Sequence, residues 1–279
     1  MSCDLHIHST CSDGTQTPEQ IVAEAIRKGL SAIAIADHDT VQGVMPAIEA
    51  ARGSDLIVIP ACEISTEYEG AEVHILGYWI DLDHEELHEK FRYVRNARRL
   101  RADEMVSKLR QLGVEITIDD VLAQTDGVTL GRPHVAQALL ARGYVGGPQE
   151  AFDRFLGRGK PAYVPRYKLS PFEAVQAVLD AHGCPVLAHP GLGVGDHIIR
   201  ALIEAGIEGL EAYHTHHSPS NTRRVLRLAE EYGLLVTGGT DSHGPGGSYP
   251  VEVGELDVPD QCAQALIAWA RENRAPMPA

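Results

Sequence analysis

Two short motifs near opposite ends of the chain carry the first chemical signal. His6-Ile7-His8 and Asp241-Ser242-His243 each set two metal-binding side chains two residues apart, which on an extended strand means one face. Between them stand His38, within Asp37-His38-Asp39, then Glu63, His74, His189 and His214. Imidazoles and carboxylates without paired thiolates suit Mn, Fe or Zn in an open catalytic site, not a closed structural zinc. Several ions held close together need a bridging carboxylate, for which Glu63 is the natural candidate. Asp13 follows the first pair closely enough to join. The chemistry expected of such a cluster is metal-assisted hydrolysis.

For these residues to meet, the chain must bring them to one rim. Strand signals fall at 4–8, 32–36, 56–60, 73–79, 185–189, 209–213 and 234–238, with helical signals between them. Thr17 reads as an N-cap with Pro18 at the first helical position, and Gly29 closes that helix. The alternation stops at 83–112, a long charged helical stretch with Leu87, Phe91, Val94, Met105 and Leu109 near helical spacing. Shorter helices follow to about 156, and the alternation resumes after Pro161. Short strands apolar on both faces belong to parallel sheets covered by helices. The expected fold is therefore α/β: a closed or nearly closed seven-stranded (β/α)7 TIM-like barrel from 1–84 and 161–279, with a helical insertion at 85–160. Barrel active sites sit at the C-terminal ends of the strands. Each of the seven strands brings a ligand type there: His6 and His8, His38, Glu63, His74, His189, His214, then Asp241 and His243.

Composition narrows the partners. The 279 residues carry a net charge of −15, yet residues 86–170 hold 15 of the 24 Lys+Arg and only 10 of the 39 Asp+Glu. A basic segment in an acidic chain suggests an anion met by the insertion and cations held elsewhere. The overall charge disfavours a stable duplex nucleic-acid partner. No apolar run approaches the ~20 residues of a membrane span, and no secretory signal is evident. Five cysteines without a CxxC pair fit a reduced cytoplasmic protein. Neither GxSxG nor GxxxxGK[ST] occurs, so serine-hydrolase and ATPase chemistry lose support.

Within the basic segment, Gly131-Arg132-Pro133-His134 opens a helix with Pro at its first turn. Arg132 offers a planar donor fork for phosphate and His134 a second donor. Lys160 marks the return to the barrel and could reach the same anion, although an exposed hinge is the plainer reading. His214 could contact phosphate or protonate a leaving group. His216 and His217 read as loop residues facing solvent. Phe91, Tyr93, Tyr144, Phe152, Phe155, Tyr163 and Tyr167 could stack bases, without deciding between small and oligomeric substrates.

The segments DLHIHSTCSDGTQTPEQIVAEA, AIADHDT, EIS…HILGY, LAHPG and GGTDSHGP resemble the motifs of PHP (polymerase and histidinol phosphatase) phosphoesterases over nearly the whole chain. The resemblance implies the distorted barrel of the PHP fold and two or three divalent ions, Mn2+ ahead of Fe or Zn. It places His6, His8, Glu63 and Asp241 on one ion, Glu63, His74 and His189 on a second, and Asp13, His38 and His243 on a third. The insertion resembles that of 3′,5′-nucleoside bisphosphate phosphatases and of an exonuclease on short oligonucleotides. The activity implied is removal of the 3′-phosphate of a nucleoside 3′,5′-bisphosphate by a metal-bound hydroxide. Arg132 would neutralise phosphoryl charge, and His214 or His243 would protonate the departing alkoxide. The alternatives are a 5′→3′ exonuclease on short RNA or DNA, a histidinol phosphatase, a metal-dependent amidohydrolase and a non-catalytic metal-binding module.

Overall fold

The computed structural model describes residues 2–125, 130–164, 169–247 and 250–273; Tyr167 lies outside them. The chain forms two compact units, one of Met1–His88 with Leu169–Ala279 and the other of Glu89–Lys168.

In the first unit the elements run β1 (Ser2–Ile7), α1 (Pro18–Lys28), β2 (Ala32–Ile35), α2 (Val44–Ala51), β3 (Ile57–Tyr68) and β4 (Ala71–Tyr78). Helix α3 (Glu85–Gln111) leads into the second unit, where α4 (Ile118–Leu122), α5 (Arg132–Ala141), α6 (Pro148–Ala151) and a π-helical turn (Phe152–Leu156) follow. The first unit resumes with α7 (Pro171–Asp180), β5 (Cys184–Leu187), α8 (Asp196–Glu204), β6 (Gly209–His214), α9 (Pro219–Tyr232), β7 (Leu235–Gly239), β8 (Val258–Pro259) and α10 (Asp260–Asn273).

The sheet order is β7-β6-β5-β4-β3-β2-β1-β8. The nearly closed barrel is there, with two corrections to the expected seven parallel strands. β8, two residues long, pairs antiparallel with β1. β4 runs antiparallel to both neighbours, because β3 continues to Tyr68 and turns back through Glu69 and Gly70. Both turn residues have positive φ, 51° and 83°, as a two-residue type I′ hairpin requires. The barrel closes where the segment after β7 meets β1: Asp241 N–H donates to His6 O at 2.9 Å and His8 N–H to Ser242 O at 2.9 Å.

Alternation sorts the core. On β2, Ala32 and Ala34, with Ala36 just beyond it, join Leu5, Ile59, Leu76, Tyr78 and Val186 in one cluster, while Ile33 and Ile35 pack with Ile21, Val22 and Ala47 of α1 and α2. Both faces of the strand are buried, as read from its apolar run. Small alanines on one face leave room for Tyr78, whose hydroxyl donates to Leu5 O at 2.8 Å. The second unit has its own core, in which Met105 and Leu109 of α3 meet Val135 and Leu139 of α5.

Candidate metal centre

The rim residues are held by a few short networks. Asp4, fully buried, accepts from Thr240 N, Thr240 Oγ1 and Gly254 N at 2.9, 2.7 and 2.8 Å, which pins the seam between the chain ends. The seam also needs Gly239, where a Cβ would stand 2.4 Å from His6 N. Asp37 accepts from Ser9 N, Ser9 Oγ and Ser12 Oγ at 2.6–2.7 Å and so shapes the loop that presents Asp13. Asp39, His189 and Asp241 all adopt positive φ, 52°, 29° and 55°. Backbone strain of this kind collects at functional sites, where surrounding contacts hold it.

Glu63 is the hub. Its Oε2 lies 3.4 Å from His6 Nε2, 3.3 Å from His8 Nε2 and 3.0 Å from His38 Nδ1. Its Oε1 lies 2.8 Å from His74 Nδ1 and 3.2 Å from His189 Nε2. Asp241 Oδ1 completes the first group, 3.0 Å from His8 Nε2 and 3.5 Å from His6 Nε2. Atoms bound to one ion at ~2.1 Å stand about 3.0–3.4 Å apart, so these four residues fit a metal. Three sets bring their ligand atoms within 4.8 Å: His6, His8, Glu63 and Asp241; His8, Asp13, His38 and His243; His38, Glu63 and His74.

All nine residues expected as ligands meet here. His38, not His189, falls in the set with Glu63 and His74, while His189 approaches the same Glu63 oxygen as His74. His74 reaches the rim from the first half of an antiparallel strand, not from a strand's C-terminal end. The second set has its own sign of fit. His8 Nδ1 is buried without a hydrogen-bond partner and faces Asp13 Oδ1 at 3.7 Å, a spacing suited to a shared cation. A cavity of about 330 Å³ opens onto Asp13, His38, Glu63, His74, His189, Asp241 and His243.

The electrostatics follow from packing carboxylates and imidazoles out of water. Burial opposes charge on His8, but Asp241 and Glu63 outweigh it and raise its pKa to about 10. His6 is likewise raised well above its ordinary value, burial being overcome by Glu211, Glu63 and Asp241. Burial pushes His38 down to about 3 despite Glu63 and Asp13. Glu63 is held well below the carboxylate range: burial would raise it, and His38, His74 and His6 overcome that.

His214 ends β6, as read from the sequence. Its Nδ1 accepts from His216 N–H at 3.1 Å and its Nε2 donates to Asp241 Oδ2 at 3.4 Å. With both nitrogens engaged, it holds Asp241. His243 donates Nδ1–H to Asp241 O at 2.9 Å, which turns its Nε2 toward Asp13 Oδ1 at 3.5 Å. His217 is half-buried and bonded, not solvent-facing: Nδ1 donates to Ala212 O and Nε2 accepts from Gly191 N–H, each at 3.0 Å. Glu211 went unread in the sequence. A lone carboxylate on an apolar strand, in Gly209-Leu210-Glu211-Ala212-Tyr213, was the available signal.

In the second unit, Arg132 lies 5.7 Å from the Phe152 ring and 5.9 Å from the Tyr163 ring. His134 Nδ1 accepts from Gly131 N–H at 3.0 Å, closing the cap of α5 and leaving Nε2 as the donor. Lys160 is exposed.

A profile of the PHP domain matches residues 4–144. A 5′-3′ exoribonuclease of Haemophilus influenzae is 33% identical over 92% of this chain and 95% of its own length. The chain belongs to the PHP-domain family. A second PHP relative, the 3′,5′-nucleoside bisphosphate phosphatase of Chromobacterium violaceum, is 31% identical over 87% of each chain. A solved structure from Bifidobacterium adolescentis, assigned as a metal-dependent phosphoesterase, matches with a TM-score of 0.79 at 36% identity and 95% coverage of both chains. This PHP protein is a metal-dependent phosphoester hydrolase. Among its described residues no helix is long and apolar enough to cross a membrane.

Proposed function

We propose that the protein removes the 3′-phosphate of nucleoside 3′,5′-bisphosphates at a centre of two or three divalent ions, Mn2+ being the first choice. The observation that carries this reading is the Glu63 carboxylate with five imidazoles within 3.4 Å. One bridging carboxylate among so many neutral donors is what adjacent ions need. His6, His8, Glu63 and Asp241 would hold one ion, Glu63, His74 and His189 a second, and Asp13, His38 and His243 a third. Bound there, such ions activate water and neutralise charge on the phosphoryl oxygens.

The chain's own residues do the rest. His214 steadies Asp241, and the Asp241 carbonyl fixes the His243 tautomer. The helical unit is the substrate-binding part. Arg132 gives a phosphate two parallel N–H donors while the rings of Phe152 and Tyr163 limit its freedom. His134 Nε2–H and Lys160 add positive or polar contacts. Arg132→Ala should lower kcat/KM on bisphosphates by about 10–100-fold, the worth of a bidentate charged pair, mostly through KM. Unchanged kinetics would remove Arg132 from the site.

A second reading, a 5′→3′ exonuclease on short RNA or DNA, is favoured by the Haemophilus relative and by the aromatic flanks of Arg132, on which bases could stack. The test is turnover by the Mn2+-loaded protein of adenosine 3′,5′-bisphosphate, AMP, histidinol phosphate and a 5′-phosphorylated trinucleotide. Fastest release from the bisphosphate supports the first reading, and faster trinucleotide cleavage the second. No turnover of any of them by metal-loaded protein would sink both.

A further inference from the structure

Glu211 is fully buried on β6, with each carboxylate oxygen committed to a different metal-facing residue. Oε1 accepts from His6 Nδ1 at 3.0 Å. Oε2 accepts from the backbone N–H of His189 at 2.7 Å. A break in register between Glu211 and Tyr213, where two steps on β6 match one on β7, lets Glu211 and His214 both turn toward the centre although they are three residues apart. Bulges re-aim side chains beside active sites in this way.

The two contacts do different things. Taking the Nδ1 proton leaves His6 Nε2 as the lone-pair nitrogen, directed at Glu63 and Asp241. Holding the His189 N–H secures a residue whose φ is +29°, a conformation its own preferences disfavour. The turn after His189 is fastened on its other side by His217, which accepts from Gly191 N–H, and by Asn221, whose Nδ2–H donates to Gly191 O at 3.0 Å. His217 packs so closely that a Cβ on Gly191 would stand 2.5 Å from its ring. His6 and His189 belong to different proposed metal positions. Glu211 is one rigid carboxylate between them, and its two partners are both donors.

We propose that Glu211 is a positioning residue that couples two metal positions: it sets the His6 ring for one and the His189 backbone for the other, so the two lose affinity together when it is changed. The inference rests on the proposed metal centre. Glutamine cannot replace the carboxylate, since its amide presents one acceptor oxygen where two are used. His217 fastens the His189 side directly, through Gly191, and reaches the other side no nearer than His214, against whose ring it packs at 5.2 Å.

The experiment is Mn2+ titration of the metal-free protein by calorimetry, with metal counted by mass spectrometry after desalting and the metal-free melting temperature recorded. Wild type should take at least two ions. Glu211→Gln should weaken two of them together, by about 10–100-fold each, the usual effect of losing a group that orients a ligand. His217→Ala should weaken one. If Glu211→Gln does not fold, Glu211→Asp, which keeps the charge but not the reach, takes its place with the same expectation. A Glu211 variant that melts lower but binds every ion as wild type does, or loses only one, overturns the inference while leaving the metal centre standing. Wild type that binds no ion overturns both.

Discussion

Two ends of the same cluster differ in how tightly they are built. Around His6, His8, Glu63 and Asp241 the ligand atoms sit 3.0–3.5 Å apart in a buried setting at the floor of the cavity, with Glu211 and His214 behind them. Around Asp13, His38 and His243 the separations stretch to 3.5–3.9 Å, and the Asp13 side chain is 37% exposed. Asp13 comes from a loop, whereas the inner residues stand on strands or at the barrel seam. Strand-borne ligands are preorganised and loop-borne ligands are adaptable. The inner position should therefore hold its ion firmly, and the outer one should exchange, close to where substrate enters.

The largest effect comes from removing what the two ends share. Glu63→Gln should abolish metal retention at the two positions it bridges and lower kcat by about 10³-fold or more, read from metal content and phosphate release. Retention of a full metal complement would show that Glu63 does not bridge. Next come two substitutions that separate the ends. Asp241→Asn should cost the inner ion and nearly all activity. Asp13→Asn should remove only the outer ion and cost about 10–100-fold in kcat, with excess metal restoring much of it. Equal losses from both would erase the distinction between inner and outer positions.

Protons give a smaller and sharper contrast. Without metal, His8 keeps its proton up to about pH 10, while His38 loses its own above about pH 3. A metal needs the neutral imidazole. Filling the inner position near pH 7.5 should therefore release roughly one to two protons, and its affinity should rise with pH. His38 contributes no proton at that pH. The His8 contribution to metal-free stability has the opposite sense. It is complete below the unfolded value of about 6.5 and is lost as pH rises through about 10. Calorimetry in two buffers of different ionisation enthalpy measures the release, and none at the tighter site would contradict the assignment.

Much of this was legible in the residues, for local reasons. Helix α1 announces itself through Thr17 and Pro18; its N-cap and the closing Gly29 are present as read, and Gln20 completes a capping box. The candidate ligands stood out because histidines and carboxylates near strand ends are chemically conspicuous, and the resemblance to PHP motifs sorted nine of them into three positions. What stayed hidden depended on pairing between distant segments. Ile64, Ser65 and Thr66 lie beyond the strand read at 56–60, yet they are buried strand because β4 folds back on them. The antiparallel course of β4 follows from the Glu69-Gly70 turn, whose signal is two residues long. Glu211 and His214 both face the centre because β6 is bulged between them, and a bulge leaves no mark in the pattern of hydrophobic residues. The bond from His214 to Asp241 likewise joins segments far apart in the chain.

The central claim is that the barrel rim gathers ions on either side of one carboxylate. Diffraction from crystals of the Mn2+-loaded protein, recorded at the manganese edge, tests it most directly. The account predicts at least two anomalous peaks flanking Glu63, roughly 3.5–4 Å apart as in two-metal phosphoester hydrolysis: one among His6, His8 and Asp241, the other beside His74 and His189. A single ion away from Glu63, or peaks only at surface carboxylates, would contradict it.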